Sequence, residues 1–115
     1  MAAIKEDYCS RETYRLLLEK GFDGEIHTTY DKEGYTQASI TLQMAMKWLR
    51  EVHNIFIEIK VGENEGKTWY DYDILPINGK LIYWKGLNVV PPIIECNTPE
   101  EAIEIGLKYC LEYLI

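Results

Sequence analysis

The chain has 115 residues, 47% apolar and 27% charged, and its nine tyrosines and three tryptophans exclude a disordered segment in favour of a packed globular one. A domain of this size removes roughly two thirds of its unfolded surface from water, enough for one core and not for two, so residues 1–115 are expected to form a single domain. The formal net charge of −7 opposes binding to a phosphate backbone, because that affinity comes from clustered Lys and Arg, and nucleic acid is not expected as a partner.

The first element begins at Ser10, a residue suited to an N-cap, and carries Tyr14, Leu17 and Leu18 on one side of a helix. The order Lys20, Gly21, Phe22 reads as a glycine C-cap followed by an apolar residue that folds back on the helix. Residues 22–38 are polar and irregular, with a short hairpin expected from 26–30 and 35–38 around the turn Asp31, Lys32, Glu33, Gly34. From Thr41 the spacing of Leu42, Ala45, Met46, Leu49, Val52 and His53 predicts an amphipathic helix. Met44 and Trp48 widen its apolar side, and Asn54 closes it in the left-handed conformation.

The period then changes to two. Ile55, Ile57, Ile59 and Val61 alternate with Phe56, Glu58 and Lys60, which predicts a strand with one buried face, ending in a turn over 62–66. Two further strands are expected at 68–76 and 80–85, joined by Asn78-Gly79, a pair suited to the type I′ hairpin turn. Pro91-Pro92 excludes a central strand from 87–94. The last helix has the strongest start signal: Thr98 as N-cap, Pro99 in the first helical position, and Glu101 completing a capping box. Ala102, Ile103, Leu107, Cys110, Leu111 and Leu114 form its apolar side. The fold class expected is therefore α+β: an N-terminal helix, then helix, three-stranded antiparallel sheet, and a C-terminal helix packed on one sheet face.

No apolar run approaches the roughly 18 residues of a membrane span. Residues 1–7 carry no basic stretch leading into an apolar one, so a cytoplasmic protein without membrane contact is expected. Cys9, Cys96 and Cys110 are odd in number and far apart, which favours reduced thiols over a disulfide framework or a metal knuckle. His27 lacks neighbouring ligand types in sequence, and His53 stands at a helix end where a cation is favoured. No phosphate-binding glycine loop, nucleophile elbow, zinc signature or dinucleotide fingerprint occurs, and no cofactor, metal or catalytic residue is assigned.

One constellation is a candidate site. Matching apolar faces sets Ile59 opposite Tyr70, Ile57 opposite Tyr72 and Ile55 opposite Ile74, which leaves Phe56, Glu58, Trp69, Asp71, Asp73 and Trp84 together on the other face. Such a face suits contact with a protein partner or a second copy of the chain. The alternative is a small-ligand or carbohydrate platform, less favourably a hydrolase using Glu58, Asp71 or Asp73. The plain reading is an outer face with ordinary cross-strand pairs, in which Lys60 neutralises Glu58 or Asp71.

Helix, three antiparallel strands, helix over 41–115 is similar in topology to the double-stranded-RNA-binding domain. That family carries a basic start to its last helix, where this chain has Thr98-Pro99-Glu100-Glu101-Ala102. The run Thr41-Leu42-Gln43-Met44-Ala45-Met46-Lys47-Trp48-Leu49-Arg50-Glu51-Val52-His53 resembles the short uncharacterised proteins of gut anaerobes and their prophages. So do Gly21-Phe22-Asp23 before it, and Glu100-Glu101-Ala102 with Leu107-Lys108-Tyr109-Cys110-Leu111-Glu112 after it. That group has no assigned activity, so the resemblance implies a mobile-element setting and transfers no site residue.

Overall fold

The computed structural model describes residues 7–76 and 95–115. In chain order these form α1 (Arg11–Glu19), β1 (His27–Tyr30), β2 (Thr36–Ser39), α2 (Leu42–His53), β3 (Ile55–Asn64), β4 (Lys67–Pro76) and α3 (Pro99–Tyr109), which continues as one wide π turn, Cys110–Leu114. The α+β class stands. In place of one three-stranded sheet, the described residues form two antiparallel pairs, β1 with β2 and β3 with β4. The strand expected at 80–85, its Asn78-Gly79 turn and the Pro91-Pro92 segment lie outside the described residues.

The helix ends follow local chemistry. Ser10 Oγ accepts the Thr13 N–H, and Thr41 Oγ1 accepts the Met44 N–H. Thr98 Oγ1 accepts the Glu101 N–H, while the Glu101 carboxylate reaches back to the Asn97 N–H, one residue before the usual capping-box partner. At the other end of α1, Gly21 takes φ +91°. Its N–H donates to the Leu18 carbonyl and that of Phe22 to the Leu17 carbonyl, the paired bonds of a Schellman end, and Phe22 is buried as that motif requires. Asn54 closes α2 in the left-handed conformation.

Between α1 and α2 the expected hairpin forms. Asp31 Oδ1 accepts the N–H groups of Glu33 and Tyr35, and the Asp31 N–H donates to the Tyr35 carbonyl. Two of the expected apolar positions turn outward, Leu18 on α1 and Val52 on α2; Thr13 is buried on α1 instead, and Trp48 is buried on the apolar side of α2 as expected. The buried stripe of α1 thus runs through Thr13 and Leu17, rotated about the helix axis from the expected Tyr14, Leu17 and Leu18.

The main core lies between the helices and one face of the β3–β4 pair. Ile55, Ile57 and Tyr72 are buried on that face beneath Ala45, Leu49, Leu107 and Leu111, with Ile59 and Ile74 at its margin. Gly106 sets the distance between α3 and the sheet: a Cβ there would stand 3.2 Å from the Tyr72 ring and 3.3 Å from Ile57 Cγ2. The helix therefore rests with its backbone almost on the strands. Gly106→Val should cost about 1–3 kcal/mol by overpacking, despite its better helix propensity, read as a lower urea midpoint with an unchanged m-value.

His53 corrects the expectation of a cation at a helix end. Its ring meets the Trp48 indole edge-on at 4.8 Å, Nε2 is buried without a partner among the described residues, and burial holds its pKa below the usual 6.5. A depressed histidine pKa means that the unfolded chain takes up the proton first. Stability from neutral His53 is complete above pH 6.5 and is lost as the pH falls below it. Thermal unfolding should show Tm declining between about pH 7 and 5, with His53→Gln flattening part of that slope.

Candidate functional site

The β3–β4 pair turns through Glu65 and Gly66, both at positive φ, +52° and +78°. This is a two-residue type I′ connection, and it pairs Asn64 with Lys67. Counting back gives Gly62 opposite Trp69, Lys60 opposite Asp71, Glu58 opposite Asp73 and Phe56 opposite Leu75. The turn is shorter than the expected 62–66, because 62–64 belong to the strand, and the register is slipped by two from the expected one: Ile59 faces Tyr72 and Ile57 faces Ile74. Because side chains alternate with a period of two, an even slip leaves every residue on its expected face.

Phe56, Glu58, Trp69, Asp71 and Asp73 do share the outer face, whereas Trp84 lies outside the described residues. They do not form one cluster. Phe56 and Leu75, 38% and 37% exposed, make an apolar row at one end. Gly62 and Trp69 make the other, six residues along β3, or roughly 20 Å at about 3.4 Å per residue. Between them run two charged rows. Lys60 Nζ stands 4.0 Å from Asp71 Oδ2 and 3.9 Å from Asp73 Oδ2, so it bridges the two aspartates and not Glu58. Glu58 faces the like charge of Asp73 directly, and no described ion pair includes it.

Trp69 owes its position to a missing side chain. A Cβ on Gly62 would come within 2.3 Å of indole Cε2, so the indole lies against bare backbone on the outer face. The aspartates have a second task on the opposite edge of β4. Tyr70 exchanges both backbone hydrogen bonds with Cys96, at 2.9 and 2.8 Å, so its N–H points away from β3. By strand alternation those of Tyr72 and Ile74 do so too. Asp71 Oδ1 accepts the Tyr72 N–H at 2.7 Å and Asp73 Oδ1 accepts that of Ile74 at 3.2 Å. Both carboxylates are thus engaged with an edge backbone and with Lys60, which does not suit an acid and base pair waiting for substrate.

Other chemically able groups are also engaged in structure. All three cysteines are free and buried; burial pushes the Cys9 and Cys110 thiols up to about 12, Glu104 adding to the effect at Cys9, and burial raises that of Cys96. Such thiols stay protonated at neutral pH and are poor nucleophiles. His27 has a partner at each ring nitrogen: Glu25 Oε1, two residues away in sequence, at 3.0 Å from Nε2, and Tyr8 Oη, which sequence spacing does not reveal, at 3.3 Å from Nδ1. No group of three metal-ligating side chains occurs among the described residues.

A feature missed in the sequence is an open acidic groove of about 490 Å³ where α3 meets the segment before α1, lined by Asp7, Tyr8, Glu100, Glu101 and Glu104 among others. Glu104, which suits the helix dipole, also accepts the Ser10 N–H at 3.0 Å from 94 residues away, and only tertiary packing reveals that bond. No described helix is long and apolar enough to cross a membrane.

Gly62→Ala should lift Trp69 from the strand. The indole Nε1–H resonance of Trp69 should move, that of buried Trp48 should not, and stability should change by less than about 1 kcal/mol because the displaced ring is on an outer face. No family model, curated protein or solved structure matches the chain.

Proposed function

We propose that the chain is a small non-enzymatic interaction module that engages a protein partner, or a second copy of itself, through the outer face of β3 and β4. The observation that carries this reading is the spacing of the apolar rows. Phe56 with Leu75 and Trp69 over Gly62 stand roughly 20 Å apart across a charged belt. Two aromatic residues that far apart cannot clamp one sugar or nucleotide ring, whereas a protein surface spans both and meets the charged rows between them. The pinned carboxylates and the protonated thiols support a role without chemistry.

Three buried, unpaired thiols support a cytoplasmic setting, and the charge of −7 supports a partner other than nucleic acid. The resemblance of 41–53 and the last helix to short proteins of gut anaerobes and their prophages supports a mobile-element origin.

Wild-type chain and the variants Phe56→Asp and Trp69→Ala, immobilised at equal density, should differ in a host lysate. The expected result is a stoichiometric protein held by the wild type and weakened at least about tenfold by either change, the size of an interfacial anchor's loss. Equal retention by all three, or thermal stabilisation of the wild type by a carbohydrate or nucleotide, overturns the reading.

A further inference from the structure

The two edges of the β3–β4 sheet differ. On β4, Cys96 pairs with Tyr70, and Asp71 and Asp73 satisfy the next outward N–H groups. On β3, ten residues run from Ile55 to Asn64 without proline, and no described strand pairs with the outer edge. A long edge of this kind is a template for another strand. The residues opposite Tyr70, Tyr72 and Ile74 are Val61, Ile59 and Ile57, so these direct their backbone N–H and C=O groups outward.

We propose that two copies of the chain associate through this edge, β3 against β3 in antiparallel register about a two-fold axis at Ile59, giving a continuous four-stranded sheet. The inference rests on the reading of this sheet as an interaction surface and names the partner as the chain itself. Register follows from charge. An axis at Glu58 sets Glu58 against itself, and one at Lys60 sets Lys60 against itself. Axes at Ile57 or Val61 leave both charges opposite uncharged residues. With the axis at Ile59, Glu58 of each copy faces Lys60 of the other, in both halves of the interface.

Three features of the single chain are accounted for together. Glu58, which faces only the like charge of Asp73 within its own hairpin, gains a cation. Val61, 66% exposed although it belongs to the apolar face, meets Ile57 of the second copy. Phe56 comes opposite the second copy's Gly62 and beside the Trp69 indole that covers it, so the aromatic residues separated within one chain become neighbours across the axis.

The charge pairs give a test that does not depend on any one variant folding in isolation. Sedimentation equilibrium of the wild type should show a reversible dimer. E58K sets lysine against lysine across the axis and K60E sets glutamate against glutamate, so each alone should weaken association about tenfold or more. Mixed in equal amounts, the two variants restore opposite charges at both positions and should form a heterodimer at near wild-type strength, which also shows that both are folded. A wild type that remains monomeric at the highest attainable concentration overturns the inference. So does a dimer that both reversals leave intact, or single variants that fail to recover on mixing. A monomeric wild type whose Phe56- and Trp69-dependent capture of a host protein persists removes the self-pairing alone, whereas a dimer without that capture leaves the edge pairing standing and removes the second partner.

Discussion

Two residues at positive φ, Glu65 and Gly66, determine which side chains meet along the whole length of β3 and β4. A type I′ turn matches the right-handed twist of the strands it joins, and with two residues in the loop the pairing has no slack. Gly66 takes its conformation without cost, while Glu65 accepts a left-handed backbone that costs a residue with a Cβ about 1 kcal/mol or more. From that turn follow Gly62 beneath Trp69, Lys60 against Asp71, and the like-charge contact of Glu58 with Asp73. An even slip would bury the same isoleucines equally well, so the core alone does not choose the register.

The inner face adds a second constraint. Because Gly106 lets α3 settle directly on Tyr72 and Ile57, the helix covers the middle of the sheet closely, and the turn end of the hairpin extends past it. Val61 shows where coverage stops: it alternates with the buried isoleucines and is exposed nonetheless. The π turn at Cys110–Leu114 keeps Cys110, Leu111 and Leu114 buried, so the last turn still serves the core.

Much of this was legible in local sequence. Thr41, Thr98, Gly21 and Asn54 act through backbone groups a few residues away, so their spacing carried the information and the helix limits follow them. Face membership was equally legible, since alternation alone assigns Phe56, Glu58, Trp69, Asp71 and Asp73 to one side. Register was not, because matching apolar faces is satisfied by any even slip, and Glu65, an unusual residue for the left-handed region, hid the tight turn. The bond from the Ser10 N–H to Glu104 and the burial of His53 against Trp48 depend on where whole helices lie, which periodicity does not encode. His53 departs from the helix-end expectation because desolvation favours its neutral form.

The outer face is best understood through the uneven placement of its charges. Lys60 is shared between two aspartates whose other oxygens already accept backbone N–H groups, so the β4 side of the face is electrostatically satisfied and its edge is blunted. Glu58 has no such compensation on its own hairpin, and a like-charge cross-strand pair costs up to about 1 kcal/mol. Uncompensated charge, exposed Val61 and Phe56, and outward backbone groups all fall on the β3 side. Each alone is ordinary for a protein surface. Their coincidence on one strand edge means that a single antiparallel neighbour carrying a branched apolar residue, then a cation, then a bare backbone position would answer all of them, and β3 itself carries Ile57, Lys60 and Gly62 in that order.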